Sequence, residues 1–166
     1  MLEAWCRDHR LAKEPAIVAD VVKDAVAPAT NEQRQRLQVG AHDEVKYRRV
    51  RLRCGERVLS EADNWYVPGR LTAEMNRALE TTDAPFGKVV QPLQPYRQTF
   101  AVKLLWAPLP AGWENGPVPA GVPGGRMEIP EALFEHRALL YTSGGKAFSE
   151  VHEVYQRQAL AFPLPR

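Results

Sequence analysis

The sequence predicts an α+β domain in which helices pack on one side of a single antiparallel β-sheet of about six strands. Two β-hairpin patterns, at residues 47 to 68 and from residue 132 onward, and one helical pattern between them support this prediction. Each hairpin pattern shows alternating apolar and polar residues on both sides of a short turn that contains glycine. Two hairpins separated by a helix are typical of an antiparallel sheet with its helices on one face.

The composition is that of one globular domain, which we assign to residues 1–166. The chain is 45% hydrophobic and 25% charged, and its formal net charge of +2 is too small to indicate a nucleic-acid partner. No apolar run approaches the roughly 20 residues that span a bilayer, and the first residues lack the apolar core of a signal peptide. We therefore expect a cytoplasmic monomer with neither a nucleic-acid nor a membrane partner.

The sequence contains no motif for a metal, a cofactor or a nucleophilic enzyme. Its two cysteines, Cys6 and Cys54, lack metal-ligand spacing and have no second pair, so we expect both to be reduced. A P-loop, a G-x-G-x-x-G and a G-x-S-x-G are all absent from the sequence. We expect neither metal nor cofactor.

Three short elements are predicted before the first hairpin. Residues 2 to 10 form a helix, and the lack of a capping residue before Met1 suggests that the natural chain or a longer homologue begins earlier. Residues 15 to 26 are rich in β-branched side chains, which favours a strand, although periodicity alone leaves a helix open. Thr30 and Gln33 have the spacing of a capping box, which predicts the start of a short helix.

The first hairpin points an arginine toward the interior. Arg48 shares the parity of Val50 and Leu52, whose apolar side chains favour the buried face. An arginine keeps its charge, so it requires a carboxylate of the chain, a bound anion or a path to water at the strand end. A register shifted by one residue would instead bury three other arginines at far greater cost.

The chain between the hairpins predicts a helix, a turn and a strand. Leu71, Met75 and Leu79 recur every four residues, which indicates a helix with one apolar side. A tight apolar turn is predicted at residues 84 to 88. A strand follows at residues 98 to 106, with Phe100, Val102 and Leu104 on one face.

Parity in the last strand separates two sets of side chains. Val151, Glu153 and Tyr155 share one face, which we expect to be the buried one. Glu150 and His152 lie on the other face. His152 is therefore predicted to be a surface histidine rather than a general base.

Three segments, in this order, resemble the chorismate pyruvate-lyase family. They are YRRVRLRCGERVLSEADNWYVP, APFGKVV and SGGKAFSEVHEVY, and the resemblance covers about residues 44 to 90 and 133 to 156. Members of that family remove pyruvate from chorismate to give 4-hydroxybenzoate for ubiquinone synthesis. The resemblance implies a cofactor-free carbon–oxygen lyase that takes a small aromatic or cyclohexadienyl carboxylate.

The resemblance also implies roles for individual residues. Arg48 would hold the ring carboxylate with help from the backbone N–H of Phe86, and Glu153 would bind the ring hydroxyl. Strand parity adds Asn64 and Tyr66 as candidates that line the same pocket; equally, this strand end can serve to pack Trp65 under the helix that follows.

Two ion-pair alternatives stay open at this point. Arg48 and Glu153 would not bind a ligand if they paired with each other across the sheet. Arg137 is a candidate for the second carboxylate of chorismate, but it can equally be a cross-strand partner of Glu150 or Glu135.

Two further functions compete with the lyase. The same fold serves as the effector-binding domain of bacterial transcription regulators, so the alternative is a non-catalytic domain that binds a small carboxylate. Residues 107 to 130 are rich in proline and glycine and predict a long surface loop. This loop and its Trp113 suggest, as a third hypothesis, a module that docks on a partner.

Overall fold

The computed structural model describes residues 2–117 and 127–162. The helices and strands, in chain order, are α1 (Leu2–Asp8), β1 (Ile17–Val21), α2 (Asn31–Arg36), β2 (Lys46–Cys54), β3 (Arg57–Tyr66), α3 (Ala73–Thr81), α4 (Phe86–Val89), β4 (Tyr96–Leu104), β5 (Ala132–Tyr141) and β6 (Ala147–Gln156). Single 3-10 turns lie at Pro68–Arg70, Gln91–Leu93, Trp113–Asn115 and Arg157–Leu160. In the described ranges no helix is long and apolar enough to cross a membrane.

The strands form one six-stranded sheet in the order β1-β2-β3-β6-β5-β4, and every neighbouring pair is antiparallel. The two predicted hairpins are β2–β3 and β5–β6. They lie side by side because β3 pairs with β6. The predicted α+β fold with a single antiparallel sheet is confirmed.

One face of the sheet carries the apolar core and is covered by three of the helices. Small and β-branched side chains, such as Ala62, Ala138 and Val151, are buried along its centre. From α1, Cys6 packs against the end of β2, and Leu79 of α3 packs with the aromatic residues that α4 and β6 contribute. The main helical layer therefore lies where the hairpin parity predicts it.

The opposite face is mostly polar, and α2 contacts it. Leu37, at the end of α2, packs with Leu139 of β5. Arg36 donates hydrogen bonds of 2.8 and 2.9 Å to the two carboxylate oxygens of Glu150. Glu150 is only 2% exposed, so this bidentate pair is what makes the burial of its charge tolerable.

Three elements that local sequence patterns predicted in the first half of the chain are confirmed. Thr30 Oγ1 accepts from the backbone of Gln33, whose side chain accepts from the backbone of Thr30, so the capping box is formed. The predicted strand at 15 to 26 is present but shorter. In α3, Met75 and Leu79 are buried as the apolar repeat predicts.

Two elements between the hairpins differ in detail from the sequence prediction. The tight turn predicted at 84 to 88 is instead the start of α4, because Pro85 is the N-cap residue of a single helical turn. The strand predicted at 98 to 106 is present as β4, and all nine of its residues are exposed. It is the edge strand of the sheet, and the face that Phe100, Val102 and Leu104 were predicted to share carries no buried residue.

The two cysteines form a disulfide, so the prediction that they are reduced is wrong. Cys6 and Cys54 are fully buried, with Cα atoms 6.2 Å apart. The antiparallel register of β1 and β2 places Ile17 opposite Cys54, and α1 packs beside this end of the pair. A separation of 48 residues in the sequence gave no sign of this proximity.

Reducing the disulfide should destabilise the domain. Closing a long loop restricts the unfolded chain, so we expect reduction to lower the free energy of unfolding by about 2–4 kcal/mol. Urea denaturation with and without dithiothreitol measures the loss. A Cys6→Ala/Cys54→Ala variant should be at least as unstable as the reduced protein, and its stability should not change with the reductant. Titration of two free thiols in the unreduced, unfolded protein would contradict the pairing.

Arg36→Ala should be strongly destabilising because it leaves the Glu150 carboxylate buried without its partner. We expect a loss of roughly 3 kcal/mol in the free energy of unfolding by urea denaturation. Arg51→Ala is the matched control, since the Arg51–Glu61 pair is exposed and should contribute less than about 1 kcal/mol. Equal losses for the two variants would show that burial of Glu150 does not control the effect.

Candidate functional site

A cavity of about 370 Å³ lies between the apolar face of the sheet and the helices α1 and α4. Its floor is formed by β2, β3 and β6 through Val50, Ala62 and Val151, among others. Leu2 of α1 and Phe86 of α4 contribute to the wall on the helical side. The cavity is thus apolar on most sides, and its polar groups are few enough to be considered one by one.

Helices α1 and α4 are joined at the cavity by an ion pair. Lys88 Nζ lies 3.0 Å from Glu3 Oε1, and both side chains belong to the cavity lining. The pair is about half exposed, so it contributes little to stability. Its place in the lining makes it part of the cavity mouth.

Glu153 is the buried carboxylate of the cavity. It is 5% exposed and accepts a hydrogen bond of 2.9 Å from Ser60 Oγ and one of 3.2 Å from Arg97 Nη1. Its partner is therefore Arg97 and not Arg48, so the predicted alternative of an Arg48–Glu153 pair is wrong. A carboxylate has about four acceptor positions, so two contacts leave room for a ligand donor.

Sequence reasoning missed Arg97 and Ser60. Arg97 belongs to β4, at the far edge of the sheet, where it pairs with Leu140 of β5. Leu140 lines the cavity, which shows that Arg97 has the correct parity to reach it. A long loop connects β4 to β5, and the pairing of the two strands contains a bulge. The sequence pattern therefore does not determine which face of the sheet carries Arg97.

Tyr155 lies next to Glu153 on the inner face and forms part of the same cavity. Burial, and then the negative charge of Glu153, raise the pKa of Tyr155 well above its usual value. The hydroxyl therefore stays protonated near neutral pH and can act as a hydrogen-bond donor.

Arg48 is buried as the hairpin parity predicts, and it is only 5% exposed. Its Nη2 donates to the carbonyl oxygens of Ala84, at 3.1 Å, and Thr82, at 3.4 Å. Its Nε and Nη1 are buried and have no hydrogen-bond partner among the described residues. Burial lowers the pKa of Arg48, but an arginine remains a cation near neutral pH.

Arg48 lies beside the cavity rather than in its lining. It pairs with Asn64 across β2 and β3, and Asn64 lines the cavity. Ala84, whose carbonyl group accepts from Arg48, directly precedes Pro85 and Phe86, which also line the cavity. Arg48 is thus next to two parts of the cavity lining, Asn64 on the sheet and the segment that leads into α4.

The other predicted site residues fall into two groups. Asn64 and Phe86 line the cavity and are buried. Tyr66 is buried on the same face, but it packs against Phe86, with ring centroids 5.6 Å apart, and is not part of the lining.

Arg137 does not contribute to the cavity, which corrects its candidacy for a second carboxylate. It is exposed and pairs with His152 in the register of β5 and β6. His152 belongs to the opposite face, as predicted, where its Nε2 lies 3.0 Å from Glu135 Oε2. The His152 hydrogen bond lowers the pKa of Glu135. Because facing residues share one side of a sheet, Arg137 also points away from Glu153.

The remaining predictions concern metal binding and the proline-rich loop. Among the described residues, no group of three or more histidine, cysteine, aspartate or glutamate side chains could hold a metal ion. Trp113 lies in a 3-10 turn and is 44% exposed. Residues 118–126 of the loop lie outside the described part of the chain, so partner docking by this loop stays a prediction.

Comparison with known proteins gives one clear sequence relative. No family model matches the chain. The chain is 46% identical over 165 residues to the uncharacterized protein y4mC of Sinorhizobium fredii, and the alignment covers 99% of this chain and 70% of that protein.

Solved structures share the fold at low sequence identity. The possible transcriptional regulator YydK of Bacillus subtilis matches with a TM-score of 0.54 at 15% identity, over 90% of this chain but only 61% of that one. The gene product SA0254 of Staphylococcus aureus matches with a TM-score of 0.55 at 16% identity, over 92% and 91% of the two chains. The effector domain of PhnF from Mycobacterium smegmatis matches with a TM-score of 0.55 at 12% identity, over 85% and 81%.

These comparisons refine the resemblance drawn from the sequence. At 12–16% identity, the solved structures show a common fold and nothing more. They support the UTRA-like fold of GntR-family regulators and give no support to a specific assignment as chorismate pyruvate-lyase. The chain belongs to the family of the uncharacterized protein y4mC, and its fold is that of the UTRA effector domains of transcription regulators.

Proposed function

We propose that this chain is a non-catalytic domain that binds a small organic carboxylate in the cavity between the sheet and α1 and α4. The observation that carries the proposal is the buried guanidinium of Arg48, which has two nitrogen atoms without a partner among the described residues. The fold shared with regulator effector domains favours binding over chemistry. The lyase assigned by resemblance has no such support.

Arg48 is the proposed anchor for the carboxylate. A buried charge without a counter-ion destabilises a protein, so the fold retains one only where it serves a function or finds a ligand. A two-point contact with a carboxylate uses Nε and Nη2, as in the Arg36–Glu150 pair. Arg48 can make this contact through its unpaired Nε once Nη2 leaves the carbonyl groups, and Nη1 stays available for a further acceptor. The Asn64 amide, beside Arg48, supplies a further donor from the cavity floor.

Access to Arg48 requires a small rearrangement. Its unpaired Nε and Nη1 are buried next to the cavity, and its only described hydrogen bonds are those of Nη2 to the carbonyls of Ala84 and Thr82. One of these is long at 3.4 Å and therefore weak. We infer that ligand binding rotates the guanidinium toward Asn64, or shifts the segment that leads into α4. The backbone N–H of Phe86 is a further proposed donor at this end.

Glu153 is the proposed contact for the other end of the ligand. It lies on the same face as Arg48, and its β-sheet neighbour Ala62 is two residues from Asn64. Its carboxylate already accepts from Ser60 and Arg97, which fixes its position. A ligand hydroxyl opposite the carboxylate group would donate to it, so 4-hydroxybenzoate and benzoate are suitable probes.

Arg48→Met should abolish binding without harming the fold. Because the substitution removes an unpaired buried charge and keeps the volume, the free energy of unfolding should stay equal or rise by about 1 kcal/mol. Affinity for benzoate should fall by at least about 30-fold in calorimetric titration, since a charged two-point contact is lost. Arg51→Met, on the exposed face of the same strand, is the matched control and should bind as the wild type does.

The same proteins test the lyase directly. Incubation of the wild type with chorismate should release no pyruvate or 4-hydroxybenzoate. Turnover that disappears in Arg48→Met would overturn the non-catalytic proposal and restore the lyase. Unchanged benzoate binding in Arg48→Met would remove Arg48 from the site.

Glu153→Gln should weaken recognition of the ligand hydroxyl only. A neutral amide oxygen accepts a weaker hydrogen bond than a carboxylate. The ratio of affinities for 4-hydroxybenzoate and benzoate should therefore shrink by about five- to tenfold, while the affinity for benzoate itself stays close to that of the wild type. Equal losses for the two compounds would place Glu153 outside the hydroxyl contact.

A further inference from the structure

A second cavity, of about 240 Å³, adjoins the proposed ligand site. It lies between α1, the strands β5 and β6, and the 3-10 turn Arg157–Leu160. Leu2, Trp5, Leu133, Phe134, His136 and Ala159 are among its lining residues. No part of the proposed carboxylate recognition uses it.

The two cavities share two walls. Leu2 and Tyr155 line both of them. Glu153, at the polar end of the first cavity, pairs across the sheet with His136, which lines the second. A group attached to the Glu153 end of the ligand is therefore directed toward the second cavity.

The chemistry of the second cavity is apolar and aromatic. The Phe134 and Tyr155 rings stack with centroids 4.3 Å apart, and the His136 ring lies 5.2 Å from that of Phe134. The indole N–H of Trp5 is already used in a 2.8 Å hydrogen bond to the Ala159 carbonyl. Such a lining offers carbon surface and few polar contacts, so it favours an alkyl or aryl group.

The helical wall of the second cavity is tied to other elements by two contacts. The Cys6–Cys54 disulfide ties α1 to β2, and the Trp5 hydrogen bond ties α1 to the 3-10 turn. Trp5 also stacks on His9, with ring centroids 3.7 Å apart. A cavity with fixed walls costs little ordering free energy when a ligand enters.

We propose that the ligand is amphipathic, with its carboxylate in the first cavity and an alkyl or aryl tail in the second. This inference rests on the proposed function, since it extends the same ligand. A cavity of about 150 Å³ is enough to hold a benzene ring in a protein core, so the second cavity has room for a tail of about six carbons. Single-ring acids such as benzoate would then occupy only part of the site.

A series of alkylbenzoates tests the inference in calorimetric titrations of the full chain. Benzoate, 3-butylbenzoate and 3-hexylbenzoate differ only in a tail at the ring position next to the one that faces Glu153, so the tail does not replace the proposed hydroxyl contact. Each buried methylene strengthens binding up to about fourfold, so the hexyl compound should bind at least about tenfold more tightly than benzoate.

Ala159→Leu should remove this gain and leave the affinity for benzoate unchanged. Ala159 lines only the second cavity, and a larger side chain there occupies the space of the tail. Ala101→Leu, on the exposed strand β4, is the matched control and should keep the gain. If Ala159→Leu does not fold, Leu160→Phe fills the same cavity from its more exposed side.

The outcomes separate this inference from the proposed function. If benzoate binds but the tail adds no affinity, or if Ala159→Leu and Leu160→Phe keep the gain, the inference is wrong and the proposed function stands. If neither benzoate nor the alkylbenzoates bind to the wild type, the proposed function fails and the inference fails with it.

Discussion

The pairing of β3 with β6 is the constraint on which the rest of the structure depends. Each hairpin forms from local signals, but this pairing joins an early hairpin to a late one across more than 80 residues of chain. Its register sets Ala62 opposite Glu153 and Asn64 opposite Val151. A slip of one residue would turn Glu153 toward the polar face and leave the cavity without its carboxylate, because strand side chains alternate between faces.

Among the described residues, the buried charged side chains of this sheet differ in whether they have an ion-pair partner. Glu150 on the polar face and Glu153 on the apolar face each have an arginine partner, Arg36 and Arg97. Arg48 is as deeply buried as Glu153, yet it contacts only two carbonyl groups. Structural ion pairs satisfy both partners, whereas an arginine with unpaired N–H groups has the capacity to bind a ligand anion.

The helices that cover the sheet determine the shape of the space next to these charged side chains. Helix α4 brings Phe86 over the first cavity, and α1 brings Leu2 between the two cavities. The disulfide holds α1 on the sheet although that helix has only seven residues. A short helix alone would be marginal in water, so this covalent tie is what lets α1 serve as a wall.

By itself, the sequence determined the two hairpins, the capping box, the apolar repeat of α3 and the inward direction of Arg48 and Glu153. All of these are local patterns with a period of two or of about four residues. Tertiary structure decided the Arg97–Glu153 pair, the disulfide and the second cavity. Each of these depends on the register or packing of elements far apart in the chain, which no local periodicity encodes.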